Sequence, residues 1–121
     1  MSYKKEDLVI ETGITFEKGW YYKDSDKVAI SLDDYQARMQ IRERIDSTAT
    51  ILSLTSSPAA GITLQAGAQT GRIDIRISAL DTESLDFDRA VYDLEIYKPL
   101  DDTEVLRLVN GTIILKSGIT R

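Results

Sequence analysis

Residues 85–96 of the chain read LDFDRAVYDLEI, and this stretch carries the clearest structural signal in the sequence. Apolar and polar side chains alternate along it: Tyr92, Leu94 and Ile96 fall on one side, and Val91, Asp93, Glu95 and Tyr97 fall on the other. Because successive side chains of a β-strand point to opposite faces of a sheet, one row is expected to face a core and the other to face water. The stretch therefore predicts a half-buried β-strand.

The spacing Asp88-x-Ala90-x-Tyr92-x-Leu94 is that of the tyrosine corner of immunoglobulin-type domains, with leucine where antibody domains carry cysteine. In such a corner the tyrosine hydroxyl bonds back to the backbone of the adjoining loop, so the ring packs into the core with its polar end satisfied. We therefore expect Asp88 and Tyr92 to form a structural corner in an all-β, immunoglobulin-like antiparallel β-sandwich.

Alternation recurs along the rest of the chain, whereas helical periodicity never lasts for the length of a helix. Two further strands are clear: Tyr35, Ala37, Met39 and Ile41 alternate with Gln36, Arg38, Gln40 and Arg42, and Ile73, Ile75 and Ile77 alternate with Asp74, Arg76 and Ser78. Shorter β candidates lie at residues 8–11, 14–22, 28–30, 50–54 and 62–64, and residues 79–85 are expected to form one helical turn. About seven to nine closely spaced strands predict a single two-layer domain over residues 1–121.

The last part of the chain is expected to form a hairpin with the strand at residues 91–97. Pro99 and Asp101–Asp102 predict the connection, with the partner strand beginning at Glu104. Asn110–Gly111 then interrupts that partner strand. An Asn-Gly pair favours either a β-bulge or a second tight turn, and the sequence leaves both alternatives open.

Composition describes a globular domain of 121 residues, with 42% hydrophobic and 29% charged residues and a formal net charge of −5. With this acidic balance there is no global basic field to attract phosphate backbones, so nucleic acid is not an expected partner. The first residues lead into acidic Glu6–Asp7 rather than into an apolar core, so we expect no signal peptide. Apolar runs such as residues 113–115 are far shorter than the roughly 18 residues of a membrane span, so no membrane association is expected.

The sequence contains neither histidine nor cysteine, which removes the histidine general base, the thiol nucleophile and the imidazole or thiolate metal ligand. Three carboxylate pairs remain as candidates: Asp24 with Asp26, Asp33 with Asp34, and Asp101 with Asp102. Such pairs could bind calcium, or serve in glycoside hydrolysis if the fold brought two carboxylates together. Each pair lies in a predicted turn, where aspartate bonds to local backbone. We therefore expect no catalytic residue, no metal, no cofactor and no enzymatic activity.

Charged residues on three predicted strands form a candidate interface. In an immunoglobulin-like strand order, one outer face would hold Arg38, Arg42, Asp93, Glu95 and Arg107. Opposite charges would then be cross-strand neighbours, and such exposed pairs are worth roughly 0.2 to 1 kcal/mol each. The face is either simply solvated or a contact between subunits, where charge complementarity fixes the register.

Three consecutive aromatic residues, Trp20, Tyr21 and Tyr22, form a candidate aromatic contact. Strand alternation would turn Trp20 and Tyr22 to one side and Tyr21 to the other. Core packing, an interface and a stacking platform for sugar are the three open interpretations.

Four alternating segments and a C-terminal tripeptide follow one another in a defined order: YQARMQIR at 35–42, GRIDIRI at 71–77, VYDLEI at 91–96, VLRLVNGTI at 105–113 and ITR at 119–121. In this order and spacing they resemble small tailed-phage virion proteins of the baseplate and tail collar. The same family includes the N-terminal domains of upper, receptor-binding baseplate proteins. The resemblance covers most of the chain.

The resemblance implies an immunoglobulin-like sandwich that assembles into a ring around the phage tail, or that anchors fibres and receptor-binding proteins there. It brings no family catalytic residues. Because the chain ends at Arg121 without a receptor-binding domain, a collar or adaptor role is favoured over direct host recognition.

We therefore expect a homo-oligomeric structural subunit in the tail region of the virion, made in the host cytoplasm and bound to other tail or fibre proteins. A head-decoration role stays open, because one fold serves many functions. The alternative is a carbohydrate-binding or host-surface-binding module.

Overall fold

The computed structural model describes residues 4–57, 59–99 and 101–117, and gives only the backbone of residues 101–104. This part of the chain forms two β-sheets and one short helix. The strands are β1 (Lys4–Lys5), β2 (Leu8–Glu11), β3 (Phe16–Tyr21), β4 (Gln36–Arg42), β5 (Leu52–Thr55), β6 (Ile62–Leu64), β7 (Arg72–Ile77), β8 (Arg89–Lys98) and β9 (Asp101–Lys116). Helix α1 covers Ala79–Glu83, and a 3₁₀ turn covers Gly67–Gln69.

The large sheet has the strand order β1-β9-β8-β4-β5, with β2 also paired to β9, and the small sheet has the order β3-β7-β6. The pairs are antiparallel, except that β1 and β2 run parallel to β9. Strands that are distant in the chain are therefore neighbours in the sheets, as in the Greek-key connections of β-sandwiches. The predicted immunoglobulin-like antiparallel β-sandwich is confirmed.

The core lies between the two sheets and is built from the alternate residues of the strands. Its most deeply buried row is Ile73, Ile75 and Ile77 on β7. The large sheet contributes a second set of buried side chains: Ala37, Met39 and Ile41 on β4, and Tyr92, Leu94 and Ile96 on β8. Removing an apolar side chain of this size from water contributes roughly 1.5–3 kcal/mol. The inward and outward rows predicted for these three strands are therefore correct.

Helix α1 forms where the chain crosses from β7 to β8, as the sequence predicts. Its N-cap is Ser78, whose hydroxyl accepts a hydrogen bond from the Asp81 backbone N–H at 3.1 Å. The fully buried Thr82 donates its hydroxyl hydrogen to the Ile14 carbonyl oxygen at 2.9 Å. The single helical turn thereby fastens the connection between β2 and β3 to this end of the sandwich.

The tyrosine corner differs from the expectation. The Tyr92 hydroxyl donates to the backbone carbonyl of Glu6 at 2.5 Å, so it does not close on its own adjoining loop. Asp88 is exposed and takes part in the corner through its backbone, because its carbonyl oxygen accepts from the Leu115 N–H at 3.2 Å. The hydroxyl therefore holds the connection between β1 and β2 against the large sheet, and burial raises the pKa of Tyr92 well above its usual range.

Asn110–Gly111 forms neither a bulge nor a turn, so both alternatives are wrong. Strand β9 continues through the pair, with Gly111 directly opposite Tyr92. The nearest register shift falls between Leu94 and Glu95, because Leu94 pairs with Val109 and Glu95 with Arg107, which leaves Leu108 as the extra residue. The glycine is needed for space, since a Cβ at Gly111 would collide with the Glu6 carbonyl oxygen and lie 2.8 Å from its carbon.

Two shorter predictions also need correction. Strand β9 begins at Asp101, which pairs with Lys98, rather than at Glu104, so the two aspartates extend the strand instead of forming the connection. Residues 28–30 form one isolated bridge, between Lys23 and Ala29, rather than a strand. A tight turn precedes the bridge, and in it the Asp24 carboxylate accepts a hydrogen bond from the Val28 N–H at 3.0 Å.

Replacing Gly111 with alanine is expected to destabilise the domain by about 2 kcal/mol, because neither backbone can move away from the added methyl group. The matched control is Gly13→Ala, which meets no atom within 4 Å. Gly13 has a positive φ of 77°, so that change is expected to cost about 1 kcal/mol of backbone strain alone. Urea unfolding midpoints measure both variants, and an equal loss in the two would contradict the close approach of β9 to Glu6.

Candidate functional site: the outer face and the open edge

The five charged residues predicted to share an outer face do so in the structure. We call this set the outer face: Arg38 and Arg42 on β4, Asp93 and Glu95 on β8, and Arg107 on β9. Register brings Arg38, Glu95 and Arg107 into one line across the three strands. Whether the face is an interface stays a prediction.

Two ion pairs order the outer face. Arg38 Nε lies 3.0 Å from Glu95 Oε1, and Arg107 Nε lies 3.6 Å from Asp93 Oδ2. The Arg38 guanidinium also lies over the Tyr97 ring, 4.6 Å from its centroid. Arg42 is held differently, because it donates to the Ser47 carbonyl at 2.8 Å. The arginines are thus fixed in direction while the side chain of Arg38 stays 44% exposed.

The acidic residues of β8 form the crowded centre of the outer face. Burial raises the pKa of Asp93, and the neighbouring Glu95 carboxylate raises it further, whereas Arg107 opposes both effects. Basic side chains flank this centre from β4 on one side and from β9 on the other. Exposed pairs of this kind contribute little to stability. Their arrangement therefore matters more for what the face can contact than for holding the fold together.

A second cluster of side chains consists of Lys4, Glu6, Lys18 and Trp20. It lies at the edge of the sandwich where β1 and β2 of the large sheet are beside β3 of the small sheet, and we call this region the open edge. Its centre is Glu6, whose carboxylate lies 2.7 Å from Lys18 Nζ and 3.2 Å from Lys4 Nζ. Trp20 Nε1 donates to the same carboxylate at 3.3 Å. The hydrogen bond from Lys18 is the main cause that lowers the pKa of Glu6 to about 2; Lys4 and Trp20 add to it, and partial burial opposes it.

Lys18 is at the open edge because of its register. It pairs with Ile75, one of the buried residues of β7, so its side chain leaves β3 on the core side. A lysine in that position requires an opposite charge nearby or an exit to solvent, and Glu6 supplies the charge. Sequence reasoning missed both residues, although Phe16-x-Lys18-x-Trp20 carries the signal: a charge on the apolar side of an alternating strand.

The three consecutive aromatic residues split as alternation predicts. Tyr22 is buried, Trp20 is partly buried and Tyr21 is 46% exposed. The ammonium group of Lys23 and the guanidinium of Arg72 both lie over the Tyr21 ring, at 5.2 and 5.5 Å from its centroid. The three rings therefore do not form a flat platform. A groove of about 190 Å³ is lined by residues 20–22 together with Lys4, Lys23, Ile73, Leu108 and Val109.

Two of the three aspartate pairs lie in turns, whereas the backbone of Asp101 and Asp102 belongs to β9. Asp24 accepts hydrogen bonds from the backbone N–H groups of Asp26 and Val28, at 2.9 and 3.0 Å. Near Asp33 and Asp34, the Tyr35 N–H donates to the Leu32 carbonyl at 3.0 Å, which is a tight turn. The side chains of Asp101 and Asp102 lie outside the described residues. Within the described ranges, no three acidic residues group together as metal ligands would.

No helix in the described ranges has the length and the apolar character that crossing a membrane requires.

No protein-family model matches the sequence, and no curated protein matches it. The structure is similar to that of Tim-1, with a TM-score of 0.51 and 12% sequence identity over 100% of this chain and 98% of that chain. It is also similar to a structure of the extracellular domain of the voltage-gated sodium channel β4 subunit, described there as a parallel homodimer in cell–cell adhesion. That match has a TM-score of 0.47 and 8% identity over 98% and 97% of the two chains, and it carries no argument.

The similarity to Tim-1 supports the fold class: the chain is an immunoglobulin-like β-sandwich. At 12% identity this likeness concerns the fold alone. It says nothing about what the outer face or the open edge binds.

Glu6 makes a testable contribution to acid stability. Its folded pKa of about 2 lies below the ordinary value of 4.5, so its stabilising effect is complete above about pH 5 and is lost as the pH falls toward 2. The difference of about 2.5 between these two pKa values corresponds to roughly 3 kcal/mol, and solvent reduces this figure because the side chain is 20% exposed. We expect Glu6→Gln to be less stable than the parent at pH 7, with the difference shrinking below pH 4.

The control is Glu83→Gln, which changes an exposed carboxylate at the end of α1. Urea unfolding at several pH values between 7 and 2.5 gives the free energies. A constant difference between Glu6→Gln and the parent across that range would show that the Glu6 carboxylate is not held ionised by its neighbours.

Proposed function

We propose that this protein is a non-catalytic structural subunit of a tailed-phage virion, in the tail, baseplate collar or fibre anchor, and that it assembles as a homo-oligomer. The observation that carries the assembly part is the outer face. It offers oriented charges of both signs on the middle strands of the large sheet, and this arrangement favours a partner of defined register.

The phage part of the proposal is supported by the resemblance of the sequence. The segments that carry it coincide with structural units: residues 35–42 contain β4, 71–77 contain β7, 91–96 lie in β8 and 105–113 lie in β9. Three of these four strands bear the outer face. The resemblance is thus concentrated on the part of the domain that would make the contacts, while residues 119–121 lie outside the described ranges.

The lowered pKa of the Glu6 carboxylate supports a non-catalytic role. A general acid or base works best with a pKa near the operating pH. Glu6 has the opposite property, because its neighbours lower its pKa to about 2 and both carboxylate oxygens are engaged by cations. The carboxylates of the outer face are likewise paired with arginines. These groups are arranged to hold charge in place rather than to transfer protons.

Homo-oligomerisation predicts a mass above that of a single 13.6 kDa chain. Light scattering at micromolar to hundred-micromolar concentration is expected to give a multiple of that mass at low salt. The multiple is expected to fall near 1 M salt, where a Debye length of about 3 Å screens contacts between charges. A mass of one chain at every concentration would contradict self-assembly.

The virion location has its own test. Mass spectrometry of purified virions, together with antibody labelling in electron micrographs, is expected to find the protein at the tail. Its absence from virions would contradict the phage proposal, and labelling of the head would replace the tail role by head decoration.

A carbohydrate-binding module is the second candidate, and the groove at the open edge favours it. The groove is lined by Trp20, Tyr21 and Tyr22 among others, and its volume of about 190 Å³ is on the scale of a single sugar ring. Lys4 and Lys23 at its walls would select an acidic sugar. Because the chain has one tryptophan, the indole N–H signal in NMR spectra belongs to Trp20, which is one of the residues that line this groove.

If the groove binds acidic sugars, glucuronate at millimolar concentration is expected to shift the Trp20 indole signal, and glucose is expected to shift it less. Lys23→Gln is expected to weaken the effect, with Lys27→Gln in the same turn as the control. An unchanged indole signal with both sugars would remove this candidate.

A further inference from the structure

We propose that two copies of this chain pair through the outer face about a two-fold axis that runs parallel to the strands, between β4 and β8. Arg38 of each copy then lies opposite Glu95 of the other. The inference rests on the proposed homo-oligomer and adds the contacting strands, the direction of the axis and the paired residues.

The argument begins with the register of β4 and β8. Residues at one height on these two strands form complementary pairs within the chain. Arg38 lies beside Glu95 as an ion pair, and Tyr97 donates its hydroxyl hydrogen to Gln36 Oε1 at 3.1 Å. At the next height Gln40 lies beside Asp93, an amide beside a carboxylate. Each of these three heights therefore offers a donor on one strand and an acceptor on the other.

A two-fold axis parallel to the strands keeps every residue at its height and exchanges left for right. If the axis passes between β4 and β8, β4 of one copy faces β8 of the other. Arg38 then meets Glu95 of the second copy, and Gln40 meets Asp93, twice in each case. The complementarity that orders the sheet within one chain is thereby repeated between the two chains.

Other positions of the two-fold axis bring fewer complementary residues together. An axis perpendicular to the strands puts β8 over β8 and β4 over β4, so that carboxylates face carboxylates and arginines face arginines, which is unfavourable. An axis between β8 and β9 also brings Arg107 toward Glu95. It lays the seven-residue β4 over the two-residue β1, however, so less of the face is covered.

Arg38 and Glu95 are already ordered within the single chain. Arg38 is held by Glu95 and by the Tyr97 ring, so little side-chain freedom is left to lose on association. The contact face would consist of β9, β8, β4 and β5. Four strands spaced about 4.8 Å apart are roughly 20 Å wide, so the area that this face buries is at the small end of the range for specific interfaces. We therefore expect a dissociation constant in the micromolar range and a strong dependence on salt.

Charge reversal tests the pairing. Arg38→Glu alone sets a carboxylate against Glu95 of the second copy, and Glu95→Arg alone sets a guanidinium against Arg38 of the second copy. Each single variant is expected to weaken association at least about tenfold, as measured by light scattering or sedimentation at 1–200 μM. Arg107→Glu is the matched control, since it reverses a charge on the same face but on β9, away from the contacts of Arg38 with Glu95, and it is expected to change association less than about threefold.

Mixing the two single variants gives the decisive result. In the mixture the carboxylate introduced by Arg38→Glu meets the guanidinium introduced by Glu95→Arg, and the unchanged Glu95 of the first variant meets the unchanged Arg38 of the second. A heterodimer is therefore expected to form at concentrations at which each variant alone is mostly monomeric. Rescue between chains cannot come from repair of an ion pair inside one chain. Urea unfolding of each variant checks the fold, and if a reversal unfolds the domain, Arg38→Gln and Glu95→Gln carry the same test with a smaller loss.

Three outcomes would overturn the proposal, and they differ in what they leave standing. If the parent self-associates but neither Arg38→Glu nor Glu95→Arg weakens it, homo-oligomerisation stands and this face is wrong. If Arg107→Glu weakens association and Arg38→Glu does not, the axis lies on the other side of β8. If the parent is a monomer at 200 μM, both the pairing and the proposed homo-oligomer fail.

Discussion

The structure depends on the contacts that meet at Glu6. Its backbone carbonyl accepts the hydroxyl hydrogen of Tyr92 from the large sheet, and its carboxylate receives Lys18 and Trp20 from the small sheet. One residue thus ties together two layers whose shared core is apolar. The absence of a side chain at Gly111 gives the Glu6 backbone room to approach β9. An edge of the sandwich that could open to water is closed by a charged group rather than by another strand.

Alternation was enough to predict the layers because burial of one row is a local property of a strand. The buried rows of β4, β7 and β8 can be read directly from residues that follow one another in the chain. The contact of Tyr92 with Glu6 spans 86 positions, and no local pattern announces it. Both predictions for Asn110–Gly111 are wrong for the same reason. Glycine is required there by the close approach of the Glu6 backbone, which is distant in the chain, and not by a turn or a bulge.

In the candidate site, too, local alternation predicts some features, and others depend on contacts between residues that are distant in the chain. The shared outer face of Arg38, Glu95 and Arg107 followed from strand order together with alternation, so the sequence sufficed to bring the charges together. Arg107 forms an ion pair with Asp93, although Glu95 is its direct cross-strand neighbour, and alternation alone does not predict this ion pair. The cluster around Glu6 was not predicted, because its members come from β1, from the connection after it and from β3, and they become neighbours only when the two sheets pack.

The parallel pairing of β1 and β2 with β9 has a consequence for the order in which the domain is made. The ribosome releases residues 4–11 long before residues 109–116, which are their partners in the sheet. Until β9 has emerged and paired with β8, the first strands have no place to dock, and Glu6 lacks the strand that positions it. The contact that joins the two layers therefore forms only after β9 has been synthesised. Folding must wait for it, as is general for sheets whose neighbouring strands lie far apart in the chain.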